Sequence, residues 1–190
     1  MALQIADRNA DSTFLRSIEA DSASSPTGCF QCGKCAAGCP IGKYFDYTPA
    51  QIMHLIRLEQ EMAVLGSKTI WLCASCETCS TRCPQGVDVA RIMDAARGFA
   101  FATKHKSSVR PVLSFYKATR ANLSKFGRMF EVWLMVSLKF RTLDFFKDMD
   151  LGMKMMQKGK LAMRPSRARA RETRDIIRKA NALDAARYKK

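Results

Sequence analysis

The sequence predicts an all-α chain built from two repeats of a cysteine run plus a helix, followed by a basic helical extension. Three observations predict it. Cys29–Pro40 reads CFQCGKCAAGCP and Cys73–Pro84 reads CASCETCSTRCP, so one pattern occurs twice in 190 residues. Apolar residues recur at helical spacing after each run. No stretch between or after the runs shows the alternation of a half-buried strand. The expected divisions are an arm and linker over 1–28, the cysteine domain over 29–104 and the extension over 105–190.

The start of the chain has a weak helical pattern in Leu3, Phe14, Leu15 and Ile18, then runs into SASSPTG at residues 22–28, a turn or linker composition. It reads as a polar arm that becomes ordered on a neighbour. It lacks the basic start and apolar stretch of a secretory signal. After the first run, Thr48, Pro49 and Gln51 supply a capping oxygen, an N1 proline and a capping-box partner. Ile52, Leu55, Ile56, Met62 and Leu65 continue the helix, and Gly66 stops it. After the second run, Asp88 caps a helix whose face is Val89, Ile92, Met93 and Ala96. Beyond Val109 the expected helices are Val112–Leu123, Phe126–Phe140 after a break near Gly127, and Leu143–Lys160, with a basic tail from Pro165.

All eight cysteines lie inside the two runs. Secreted disulfide scaffolds are usually shorter and spread their cysteines over the fold, so a reducing cytoplasm is the expected location. Thiolates select soft or borderline metals, which leaves zinc and iron–sulfur clusters. Structural zinc usually takes two cysteine pairs with a long gap between them. Three cysteines at i, i+3 and i+6 instead wrap one larger object. The full run, C-x2-C-x2-C-x3-C-P, is the bacterial iron–sulfur type, whose fourth cysteine ligates the other cluster in two-cluster proteins. That pattern assigns one [4Fe–4S] cluster to Cys29, Cys32, Cys35 and Cys83, and a second to Cys73, Cys76, Cys79 and Cys39. Gly33, Ala36 and Gly38, and Ala74, Ser75 and Ser80, allow close approach of the backbone; Lys34 and Arg82 read as solvated charges, ahead of tuning the potential or facing a partner.

Other chemistry is missing from the sequence. No GxGxxG follows a strand pattern, so no flavin or nicotinamide site is expected. His54 reads as a packing or surface residue and His105 as solvated. There is no general acid–base or nucleophile arrangement, so the expected role is electron transfer without an active site. The longest apolar run of the second half, Val132–Leu138, falls far short of the ~20 residues of a spanning helix.

The net charge of +15 is uneven: −2 over 1–28, +1 over 29–100, +6 over 101–150 and +10 over 151–190. Three readings compete for the basic half. They are solvated helix faces, nucleic-acid binding by a tail such as RARARETR, and a docking surface for protein partners. Phe126, Met129, Phe130, Trp133, Ser137 and Phe140 form one stripe, and Met149, Met153 and Met156 another. Such stripes favour docking. Peripheral membrane contact through Phe126–Phe140 is a weaker form of that reading, and nucleic acid is not the expected partner.

The paired runs, with CGKC and GCP in the first and CxxCxxRCP-x-G-V-D in the second, resemble the α-helical ferredoxins. With the phrases FGRMFE and KGKLAMRP, the layout is similar to the C-subunit family of heterodisulfide reductases and its bacterial relatives. That resemblance implies an electron-transfer subunit of an oxidoreductase complex, relaying electrons through two [4Fe–4S] clusters. Its partners would be a flavin-bearing A-like protein and a B-like protein with CCG motifs that reduces a disulfide. No CCG occurs in this chain. The alternatives are a nucleic-acid-binding protein with structural or redox-sensing clusters, and the iron–sulfur subunit of another, quinone-linked oxidoreductase.

Overall fold

A computed structural model describes residues 13–105, 108–142, 149–159, 165 and 169–187. Among these residues every regular element is helical and no strand occurs, as the sequence predicts. The chain divides into two compact units, with the boundary between Val109 and Arg110.

The first unit opens with α1 (Thr13–Ser22). Phe14 and Ile18 sit one turn apart on its inner face and are almost wholly buried. The partner that orders this segment is the chain's own later helix α7, where Phe14 meets Phe99 edge to face at 5.2 Å. Leu3 lies outside the described residues. The cysteine runs carry two short helices, α2 (Lys34–Ala37) and, after the intervening segment, α6 (Thr78–Thr81).

Between the runs lie α3 (Pro49–Arg57), α4 (Glu61–Gly66) and α5 (Thr69–Leu72). The expected capping box forms at the start of α3. Thr48 Oγ1 accepts the Gln51 N–H at 3.3 Å, and Gln51 Oε1 accepts the Thr48 N–H at 2.8 Å. The single helix expected from Thr48 to Gly66 is broken, however. Glu59 is left-handed at φ 54. The Gln60 N–H bonds Leu55 O at 2.9 Å and the Glu59 N–H bonds Ile56 O at 3.0 Å. These two bonds make a Schellman stop with glutamate where glycine is usual. The break rotates Met62, placed on the apolar stripe by its spacing, out to 71% exposure.

The unit ends with α7 (Val89–Ala102), capped by Asp88, whose carboxylate accepts the Arg91 N–H at 3.2 Å. Its expected face, Val89, Ile92, Met93 and Ala96, is buried, and Ala95, Phe99 and Ala100 extend it. This face packs on α1, α4, α5 and α6. With Ile52, Met53, Ile56, Leu65, Ile70 and Trp71 it forms the apolar core beside the cysteine loops. Each such large side chain contributes roughly 1.5–3 kcal/mol by burial. Trp71 also donates from Nε1 to Leu65 O at 3.4 Å.

The second unit comprises α8 (Arg110–Phe126), α9 (Glu131–Thr142), α10 (Met149–Gln157) and α11 (Ala170–Arg187). α8 packs on α9 and on α11. Ala118, Asn122 and Phe126, successive residues at i+4, form its buried face. Phe126 meets Phe130 at 5.1 Å and Trp133 at 5.8 Å, both edge to face, and Lys125 lies over the rings of Phe126 and Trp133. The stripe expected from Phe126 to Phe140 is thus half used, since Phe140 is 67% exposed. Met153 and Met156 of α10 are exposed as well. The segment read as a basic tail forms an 18-residue helix instead. After Pro165 it contains no further proline and no glycine. Alanine- and arginine-rich sequence of that kind favours helix, and Ala170 is buried at its start. Residues 143–148 of the expected third helix, and 160–164 of KGKLAMRP, lie outside the described residues.

Candidate metal centre

The two cysteine runs have the same backbone itinerary. In the first, Gln31 (φ 62) and Gly33 (φ 77) are left-handed, and α2 follows; in the second, Ser75 (φ 49) and Glu77 (φ 60) are left-handed, and α6 follows. Left-handed residues alternating between cysteines curl each loop into a concavity of the kind that aims backbone N–H groups at an anionic guest. Only the first run has glycine at the position before its helix. α2 and α6 pack on each other, α2 also on α3 and α6 also on α7, so each loop rests on the helix that follows it.

This packing brings the cysteines together in two mixed sets. One pocket is lined by Cys29, Cys32, Cys35 and Cys83, with Phe30, Ala50 and Val89 among its apolar walls. The other is lined by Cys73, Cys76, Cys79 and Cys39, with Ile41, Phe45, Ala90 and Met93. The last cysteine of each run stands in the pocket of the other. All eight are free thiols. Gly38 makes the exchange compact: the Arg82 side chain lies across it, where a Cβ would fall 2.5 Å from the guanidinium. Gly42 similarly sits against Cys39.

The donor set is four sulfurs per pocket, suited to soft iron or zinc. Among the described residues no three metal-binding side chains converge closely enough to hold a single ion. Four thiols spread round one pocket fit a guest with several corners better than one ion. Burial pushes the Cys79 thiol up to about 11, reinforced by Cys73. Burial likewise raises Cys35, and it raises Cys73 against the opposing pull of the Ser75 backbone and Arg97. The exposed Cys76 is lowered by the hydroxyl and N–H of Thr78. Buried thiols that resist ionisation give up their protons to a metal rather than to water.

Several residues hold the cysteine loops from outside. Arg57 Nη1 donates to Cys29 O at 2.9 Å, and Arg97 Nη2 donates to Cys73 O at 2.9 Å. Arg97 also donates from Nε to Ile70 O at 2.8 Å and pairs with Asp94 at 3.2 Å. Asp94 accepts the Ser75 hydroxyl at 2.6 Å. Ser80 donates to Asp88 at 2.6 Å and accepts the Ala90 N–H at 3.0 Å, tying the second run to the start of α7. Asp46 accepts from the Lys68 N–H at 2.7 Å, the Thr69 N–H at 3.1 Å and the Thr69 hydroxyl at 2.8 Å, fastening the chain after the first run to α5. Lys34 lines the first pocket, and Arg82 is exposed at the crossing. His54 is exposed and His105 lies at the end of α7, neither among the residues lining the two cysteine pockets.

Sequence reading passed over Arg57 and Arg97. Their one available signal is register: each follows the capping residue of its helix by the same step, from 48 to 57 and from 88 to 97.

Residues 25–87 match the 4Fe-4S dicluster domain. The chain is similar to the C subunit of the H(2):CoB-CoM heterodisulfide,ferredoxin reductase of Methanothermobacter marburgensis, 33% identical over 92 residues, covering 48% of this chain and 50% of that protein. It is 37% identical over 83 residues to the iron–sulfur C subunit of the CoB--CoM heterodisulfide reductase of Methanopyrus kandleri, covering 44% and 43%. With the C 2 iron–sulfur subunit of the Methanocaldococcus jannaschii enzyme it shares 34% over 107 residues, covering 54% and 57%. The chain spans about half the length of these curated relatives.

Proposed function

We propose that this chain, which carries a 4Fe–4S dicluster domain, is the electron-relay subunit of a heterodisulfide reductase-like complex. The observation that carries the reading is the gathering of eight thiols into two neighbouring four-cysteine pockets inside one small unit. Cys29, Cys32, Cys35 and Cys83 would hold one [4Fe–4S] cluster, and Cys73, Cys76, Cys79 and Cys39 the other. Bound there, the clusters supply one-electron transfer. The chain's own residues give each site its four thiolates, and apolar walls at Val89, Met93 and Phe45 limit water. Arg57 and Arg97 fix the first cysteine of each run from behind. Among the described residues no histidine or carboxylate lines either pocket, and in this reading the bond chemistry belongs to partners, a flavin-bearing protein and a CCG-containing disulfide reductase. Eight free thiols suit a reducing cytoplasm, and no described helix is long and apolar enough to cross a membrane.

The second unit is the docking module in this reading. α8 and α11 border an open groove with Lys117 and Arg120 on one side and Arg171, Arg174 and Arg178 on the other. Among the described residues Asp175 is the one acidic side chain lining it, and it is paired with Arg178 at 3.1 Å. Like charges facing one another across a groove repel, and an acidic partner surface relieves the repulsion. Ala121 and Ile177 add apolar contact, and no described aromatic side chain lines the groove for stacking bases.

Anaerobic purification from the native host tests the reading. It expects about eight irons per chain, with a flavoprotein and a CCG-containing protein bound. Zinc in place of iron would end it. Salt-sensitive nucleic-acid binding that is lost in Arg171→Ala/Arg174→Ala would support the nucleic-acid alternative, and recovery of a membrane quinone-reactive protein the quinone-linked one.

A further inference from the structure

The two halves of the cysteine unit repeat in backbone and differ in charge. Lys34, at the wall of the first pocket, corresponds to Thr78 at the second. Gly33 before α2 corresponds to Glu77 before α6. Arg57 and Arg97 make the same bond to the first cysteine of their runs, but Arg97 is neutralised by Asp94. Arg57 has no carboxylate partner among the described residues. The shells therefore carry Lys34 and Arg57 around the first pocket, against Glu77 and the Asp94–Arg97 pair around the second. The stretches that lend the fourth cysteines do not reverse this difference. Arg82 precedes Cys83 in the first pocket, while Lys43 and Asp46, of opposite sign, follow Cys39 in the second.

Reduction adds one negative charge to a cluster. Nearby positive charge and donors to its surroundings stabilise that charge and raise the potential, and nearby negative charge lowers it. We infer that the cluster held by Cys29, Cys32, Cys35 and Cys83 has the higher reduction potential of the two, and that Arg57, with Lys34, is the positioning residue that sets it there. The inference rests on the cluster assignment proposed above. It gives the relay a downhill direction. With both sites loaded, one electron would pass from the second site, oxidised in the step, to the first, reduced in it; no bond would be made or broken and no proton would move. The electron is supplied by a reduced flavin and ends on a disulfide-reducing partner. On this inference, donor contact belongs beside Cys76 and Glu77, and acceptor contact beside Cys32 and Lys34, all exposed.

The test is an anaerobic redox titration of the full-length, cluster-loaded chain, followed by electron paramagnetic resonance, with iron counted in every sample. The wild type should show two separate midpoint potentials. Arg57→Gln and Lys34→Thr should each lower the higher one and leave the lower in place. Asp94→Asn, which keeps an acceptor for Ser75, should raise the lower one, so all three narrow the gap. Arg57→Lys retains the charge and should keep most of the wild-type gap. If Arg57→Gln loses iron, the exposed Lys34→Thr decides the matter. Coincident potentials, or a fall in the lower potential instead of the higher, would overturn the inference while leaving the clusters in place. A wild-type chain that holds no iron would instead remove the cluster assignment beneath it.

Discussion

The side chain of Asn122 is bonded to both backbone groups of Phe130. Its Nδ2 donates to Phe130 O at 2.7 Å, and its Oδ1 accepts the Phe130 N–H at 2.9 Å. Asn122 is fully buried on α8, and Phe130 lies just before α9, so one amide fixes the α8–α9 turn. Asn122→Ala removes both bonds and leaves two backbone groups unsatisfied, at a cost of about 2–4 kcal/mol. Chemical denaturation followed by helical circular dichroism should show the loss in the second unit. An unchanged midpoint would mean that water replaces the amide without penalty.

Gly127, in the same turn, is required for two reasons at once. Its φ is +76, and a Cβ there would fall 2.6 Å from Ala170 N and from the Arg169 carbonyl carbon. Backbone cannot swing aside as a long side chain can, so Gly127→Ala should cost about 3 kcal/mol or more. It should also loosen the α8–α11 contact. Limited proteolysis near residue 169 would report that loosening as faster cleavage, and wild-type resistance would contradict it.

Glu77 offers the opposite case. It is left-handed at φ 60, where its counterpart Gly33 is glycine. Glu77→Gly should relieve the strain and stabilise the first unit by about 1 kcal/mol, read as a higher denaturation midpoint of the full chain.

Burial alone would raise the Asp46 carboxyl, but the Lys68 N–H, the Thr69 hydroxyl and the Thr69 N–H outweigh it and hold the group below its usual range. The folded state therefore binds its proton more weakly than the unfolded chain does. The resulting stability is present above the ordinary aspartate pKa of about 4 and is lost as pH falls through the folded value. Asp46→Asn should flatten this part of the acid-unfolding curve. An identical acid slope in the variant would show that Asp46 is not the group responsible.

Reciprocal lending of the fourth cysteine makes its own prediction. Cys83→Ala should chiefly damage the site of Cys29, Cys32 and Cys35 and leave the signal of the other cluster intact; Cys39→Ala should do the reverse. Spectra of the anaerobic variants check this, and loss of the site of Cys73, Cys76 and Cys79 on changing Cys83 would refute the crossed assignment.

What the sequence made legible was what local chemistry fixes. The cysteine spacing marks the loops, and Thr48 and Asp88 announce their helices through capping oxygens that act within one turn. The helix break at Glu59 was hidden because a Schellman stop usually advertises itself with glycine, and here glutamate takes the left-handed place. α11 was hidden by its charge: α8 packs against it, but its only large apolar residues are Ile176, Ile177 and Leu183. Arg57 and Arg97 share only their register as a signal, because an arginine on a helix shows nothing else of the distant carbonyl it will meet. The arm at residues 13–22 offered only Phe14, Leu15 and Ile18, too few to reveal that its partner was α7.

The crossed pockets also impose an order on manufacture. A ribosome delivers Cys29, Cys32 and Cys35 first, yet their pocket cannot close until Cys83 has been made. Cys39 is already waiting when the second run emerges, so the later pocket is complete at Cys79. The site begun first is thus finished last, and the emerging chain must keep three thiols unspent through the synthesis of α3, α4, α5 and α6. Any truncation before residue 83 yields at most the second pocket and never the first alone.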